Sequence, residues 1–111
     1  MTIFIIQGCY TAEAVRGMID TPDDREAMVK KLIKAVGGKL LAYYMTFGEF
    51  DFLIICQAPS EGALLSALAA AAAGGSVGGL RTTVALSGKS AMKAFAEAKG
   101  VMASFRSAGQ A

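Results

Sequence analysis

Cys9, Tyr10, Thr46, Asp51 and Arg81 are polar or reactive side chains at or near the ends of apolar, strand-like runs. A carboxylate and a guanidinium in such places need partners, because an unpaired buried charge is costly. If Asp51 and Arg81 flank one small pocket, they would orient a polar ligand. Thr46 would stand beside them, and Tyr10, Tyr43 and Tyr44 would form apolar walls with polar tips. The plainer reading of the same residues is structural: Asp51 satisfies backbone amides of a turn, and Arg81 makes a rim or intersubunit ion pair. Strand parity leaves both readings open.

Other chemistries find less to work with. The chain has no histidine, so the commonest general base and the commonest transition-metal ligand are missing. A catalytic thiolate at Cys9 would lack a base. Cys9 and Cys56 end strands expected to run in opposite directions, which sets them at opposite edges, too far apart for an intrachain disulfide. Both read as reduced packing thiols of a cytoplasmic protein. Gly88-Lys89-Ser90 looks like the end of a phosphate-binding loop, but that motif needs glycine where Thr83 stands. The carboxylates are scattered, and Asp23-Asp24 suit a helix start, so neither a metal nor a cofactor is expected.

The bulk composition sets the class. At 111 residues, 54% hydrophobic and 18% charged, the chain fits one domain with one core, and its apolar excess excludes disorder. The net charge of +2 is no footprint for nucleic acid. It conceals a −1 body over residues 1–88 and a +3 tail carrying Lys89, Lys93, Lys99 and Arg106 against Glu97. The longest apolar stretch, Ala63 to Ala73, is far short of the roughly 20 residues needed to span a membrane. The N-terminus opens directly into a strand-like run, with no signal-peptide pattern.

The positioning elements follow from pattern. Residues 2–10 are β-branched and aromatic, hence a strand. Thr11 to Asp20 would hold a short helix capped by Thr11. Thr21 as cap and Pro22 as first helical residue would start a second helix, whose apolar stripe is Met28, Val29, Leu32, Ile33 and Val36. Gly37-Gly38 would stop it. Lys39 to Phe47 and Phe50 to Gln57 read as a hairpin turning at Gly48-Glu49. Ser60 caps a Leu- and Ala-rich helix ending at Gly74-Gly75. A loose glycine segment then leads to a fourth strand, Leu80 to Leu86. Beyond Gly88, Met92, Phe95, Ala98, Met102 and Phe105 trace a narrow stripe on a C-terminal helix that would lie on the sheet's edge or on a partner. The last residues, Ser107 to Ala111, are expected to fray.

The order β-α-β-β-α-β with right-handed crossovers gives an antiparallel sheet of order 4-1-3-2, a ferredoxin-like α+β sandwich with its helices on one face. A sheet with one wet side should alternate apolar and polar residues. Here Ile3 and Ile5 look as buried as Phe4 and Ile6, and Leu53 and Ile55 as buried as Phe52 and Ile54. A second copy placed sheet against sheet, a dimeric α/β barrel, would cover the other face. The expected organisation is a ferredoxin-like domain over residues 1–88 and a C-terminal helix with its tail over residues 89–111.

The run Thr46-Phe47-Gly48-Glu49-Phe50-Asp51-Phe52, with the Gly37-Gly38-Lys39 helix exit, the Tyr10-Thr11 strand exit and Arg81-Thr82-Thr83, resembles the GYD-domain family of the dimeric α/β-barrel superfamily. The likeness covers about residues 2–87, and Phe50 stands where the family name has tyrosine. It implies this fold and supplies no mechanism, since relatives in the superfamily range from cofactor-independent monooxygenases to amino-acid-sensing domains. The expected function is a non-catalytic homodimeric module for a small molecule or a protein partner. The alternative is a cofactor-independent oxygenase or isomerase in the barrel cavity, with Asp51 as its base.

Overall fold

The structure, a computed structural model, describes residues 1–109. Of the tail residues expected to fray, Gln110 and Ala111 therefore lie outside the described residues. The chain opens with strand β1 (Thr2–Tyr10), then helices α1 (Ala12–Asp20) and α2 (Arg25–Ala35) and strands β2 (Lys39–Met45) and β3 (Phe52–Ala58). Helix α3 (Glu61–Ala73), strand β4 (Val77–Ala85) and helix α4 (Gly88–Ser104) complete it. The sheet is antiparallel in the order β2-β3-β1-β4, the expected 4-1-3-2 met from its other edge.

Local chemistry sets the element ends. The Thr11 hydroxyl accepts from the Ala14 amide and starts α1. The second helix begins later than Thr21-Pro22 suggests. Asp24 is its cap, accepting from the Ala27 amide at 3.2 Å, while Thr21 closes α1 by donating its amide to the Gly17 carbonyl. Aspartate caps as well as threonine does, and α1 has already claimed Thr21. At the exit of α2, Gly37 takes φ +81, its amide bonds to the Lys34 carbonyl, and the Gly38 amide bonds to the Ile33 carbonyl. This is a Schellman ending, which favours glycine in the left-handed position.

Strand boundaries also differ from expectation. The hairpin connection occupies residues 46–51 rather than a two-residue turn. It is closed by the Thr46 amide on the Asp51 carbonyl at 2.8 Å and by the Thr46 hydroxyl on the Phe50 carbonyl at 2.7 Å. Strand β4 starts at Val77, so the glycines read as a loose loop belong to the strand. The β1–β4 register passes from Gln7↔Arg81 to Cys9↔Gly78, leaving an extra residue on β4, and Gly79 supplies the bulge with φ +60.

All the buried strand residues lie on one face. Phe4, Ile6, Phe52, Ile54, Cys56 and Ala58 meet Ile33 of α2 and Leu64 and Ala67 of α3 in a single core. On the other face the alternate residues Ile3, Ile5, Leu53 and Ile55 remain partly exposed, beside Leu41 and Tyr44 at 45% and 63% exposure. Strand pairing puts Ile5 opposite both Ile55 and Thr83, so this apolar strip runs through the centre of the sheet.

Helix α4 does not fold back. None of its residues is buried, and its stripe residues Met92, Phe95 and Met102 stay exposed, as does Phe105 just beyond its end. The molecule measures 65 × 30 × 22 Å, with a radius of gyration of 18.4 Å. A compact chain of this length would have a radius near 13 Å. Packing on its own sheet is thus not how the stripe is satisfied.

Candidate functional site

Alternation carries Tyr10, the last residue of β1, to the helix face after Phe4, Ile6 and Gly8. Tyr43 of β2 pairs with Ile54 and reaches the same face. Their hydroxyls meet at 2.7 Å across the intervening strand β3, and the Tyr10 ring tilts over Phe52 at a centroid distance of 5.0 Å. An edge-inclined aromatic pair of this kind fixes the ring that carries the hydroxyl.

Arg25, the first residue of α2, sits beside this pair. Its Nη1 donates to both carboxylate oxygens of Asp23, at 3.1 and 3.4 Å. Its Nε is the one buried side-chain nitrogen or oxygen among the described residues that lacks a hydrogen-bond partner. Burial alone would weaken its charge, but Asp23 and the adjacent Tyr10 hydroxyl outweigh burial and hold the guanidinium above its ordinary value. Burial, aided by the bond to Tyr10, also pushes the Tyr43 phenol well above its usual range. The Tyr43 phenol is therefore a hydrogen-bonding group and keeps its proton at neutral pH.

These residues form the polar waist of a two-part cleft. Above them, α1, the Asp23 turn and the Gly74–Ser76 bend enclose about 300 Å³, with Glu13 and Asp23 on the rim. Below, a second space of about 300 Å³ runs between the helices and the sheet. Its walls are apolar, among them Val29, Leu32, Ile54, Leu68, Val77 and Leu80, and Arg25 is the one charged residue among those lining it. The short side chains of Ala70 and Ala71 on α3 leave it open.

The residues singled out from sequence separate into groups. Tyr10 and Tyr43 share the waist of the cleft. Asp51 is joined to Tyr10 through the main chain: its carboxylate accepts the Tyr10 amide at 2.9 Å, and its own amide donates to the Gly8 carbonyl at 2.8 Å. Thr46 is tied into the same loop and borders a shallow hollow with Gln7 and Glu49. Tyr44 stands on the open face opposite Leu53. Arg81 pairs with Gln7 on that open face, and among the described residues its guanidinium reaches only the neighbouring Leu80 carbonyl, at 3.5 Å. Asp51 and Arg81 form no ion pair among the described residues. Cys9, on the open face, donates weakly to the Glu49 carbonyl, while Cys56 is buried in the core.

Arg25 and Asp23 were not legible as site residues. Their only sequence signal is an arginine directly after a capping aspartate, where a second acid precedes it.

No group of three or more metal-ligating side chains occurs among the described residues, and no described helix is long and apolar enough to cross a membrane. The GYD domain matches this chain over residues 4–98, extending past Gly88 into α4. The crystal structure of FFRP-DM1 superposes with a TM-score of 0.51 at 17% identity, over 78% of this chain and 100% of the other, a likeness of fold. No curated protein matches the sequence.

Proposed function

For a chain that belongs to the GYD domain family, we propose the role of a non-catalytic small-molecule-binding module that works as a homodimer. The observation that carries the binding role is the two-part cleft that meets at Tyr10 and Arg25, one space lined by polar groups and the other by apolar side chains. The polar groups at the waist favour holding over turnover. They are a guanidinium and two phenols, one with its proton held more tightly than usual. An enolising enzyme would need a carboxylate base, and Asp51 already commits an oxygen to the Tyr10 amide.

The homodimer rests on the open sheet face and on α4. A compact monomer of 11.4 kDa would expose about 5,800 Å², whereas this chain exposes 7778 Å². The excess exceeds the roughly 800 Å² that each partner gives to a standard interface. A second copy against Ile3, Ile5, Leu53 and Ile55, with α4 lying along it, would remove the apolar part of that excess from water.

Native mass spectrometry of protein purified from its own cells tests both parts at once. The expected result is a dimer carrying a small-molecule adduct that is lost on denaturation. A monomer with no adduct would end both claims.

A further inference from the structure

We propose that α4 of one copy packs on α1 of a second copy, its apolar stripe against Val15 and Ile19. This rests on the homodimer proposed above and names the surface of the second copy that α4 meets. Of the four helices, α2 buries Ile33 and α3 buries Leu64 and Ala67, whereas α1 and α4 bury no residue. Each of the two carries an apolar stripe all the same. On α1, Ala12, Val15 and Ile19 recur at helical spacing, with Val15 and Ile19 42% and 71% exposed. On α4, Met92, Phe95 and Met102 are exposed, and Lys93 and Glu97 fall on the opposite side. The stripes match in length: α1 rises about 13 Å, and the run from Met92 to Met102 about 15 Å.

Charge selects α1 among the possible seats. The segment from Glu13 to Glu26 holds five acidic and two basic residues, a net −3, and the segment beyond Gly88 carries +3. Pairing α4 with α4 of the second copy would set +3 beside +3. Helix α2 repels it too, through Lys30, Lys31 and Lys34, and α3 offers Glu61 as its single charge. Opposite charges at the rim of such a contact steer and orient it.

Topology decides which copy supplies α1. Strand β4 ends at Ala85, near Ile3 at the start of β1, while α1 leaves the far end of β1 at Tyr10. The strand between Ile3 and Tyr10 spans roughly 23 Å, and α4 projects from the body instead of returning over it. A two-fold axis lying across the strands brings the second copy's α1 to the edge where α4 begins.

The contact bears on the cleft, because α1 is a wall of its upper part. Glu13, Ala14, Gly17 and Met18 line that space, and Val15 and Ile19 lie on the opposite side of the same helix. The second copy's α4 would brace the wall from outside.

The test uses the full chain with Cys9→Ser, which leaves the buried Cys56 as the one native thiol. Val15→Cys marks α1 and Ala98→Cys marks α4, and both spare Ile19, Phe95 and Met102. Each variant alone, and the two co-expressed, are treated with a short bis-maleimide. The pair should form covalent dimer at least about tenfold faster than either variant alone, since docked thiols meet at a high effective concentration. Arg16→Cys gives a second position on α1 if Val15→Cys does not fold. Cross-linking of one variant alone as fast as the pair would mean that like helices meet, and would overturn the contact. Slow cross-linking throughout, in a protein with the native mass of a dimer, would overturn the contact and leave the homodimer standing. The native mass of a monomer would overturn both.

Discussion

The hydroxyl oxygens of Tyr10 and Tyr43 stand 2.7 Å apart, joining the two strands that flank β3 without any backbone bond between them. The phenols thus bridge the helix face of the sheet at the waist of the cleft.

The bridge has a pH signature. The Tyr43 phenol, ordinarily near 10, is raised by burial and by the bond to Tyr10. In the unfolded chain it ionises at its ordinary value, so above that pH the folded state binds more protons than the unfolded one. Stability then falls as pH rises. The contribution is complete below pH 10 and declines from there upward. Urea midpoints measured from pH 8 to 11 should fall more steeply for the native sequence than for Tyr43→Phe. Parallel curves would show that Tyr43 is not the source.

Asp51 has a stabilising task, holding the main chain of Tyr10. Asp51→Ala leaves the Tyr10 amide without its acceptor at 2.9 Å. The expected cost is about 1–3 kcal/mol of unfolding free energy, read as a lower urea midpoint at unchanged slope. Asp51→Asn, which keeps an acceptor oxygen, should lose less.

The helix exit tolerates no side chain at Gly38. A methyl group there would meet the Gln57 carbonyl oxygen and the Ile33 side chain, and β3 is too firmly paired to retreat. Gly38→Ala should cost about 1–3 kcal/mol or more, visible as a lower thermal midpoint. Gly48→Ala, with open space around it, serves as the neutral control.

Assembly can be separated from folding by two substitutions on different surfaces. Ile5→Asp places a charge in the centre of the open face, and Phe95→Asp places one on the stripe of α4, where Phe95 is 77% exposed. Phe95 touches little of its own chain, so Phe95→Asp should keep its helical signal and change only the mass found by light scattering. Ile5→Asp should dissociate the proposed dimer or prevent folding. An unchanged dimer in both would mean that neither surface is the interface.

Much of the architecture was legible because it depends on short-range rules. The stripe through Ile33, the Gly37-Gly38 exit and the Ser60 cap each act within a few residues. The strand order follows from the handedness of two crossovers. Boundaries were less legible where two residues compete for one role, as Thr21 and Asp24 do. The glycines before Leu80 misled for a different reason: Gly79 bends β4 without interrupting it. The same strand order brings the ends of β1 and β2 to the starts of β4 and β3, where Tyr10 opposes Val77 and Met45 opposes Phe52. Which side chains share a face there was not legible, because bulges in β2 and β4 shift the parity on which such a reading depends. Arg25 escaped notice because its significance lies in burial against Tyr10, a residue of another element, and no local pattern encodes that contact.

The run of alanines at the end of α3 has an evolutionary consequence. Ala70 and Ala71 shape the cleft by what they omit, so each added methyl group subtracts space without altering the sheet, the waist or the helix itself. Alanine, leucine and methionine are all good helix formers, and exchanges among them leave the scaffold nearly indifferent. Selectivity for the length of a bound molecule could therefore drift from one homologue to the next by single substitutions at two positions, while everything that holds the fold together stays fixed.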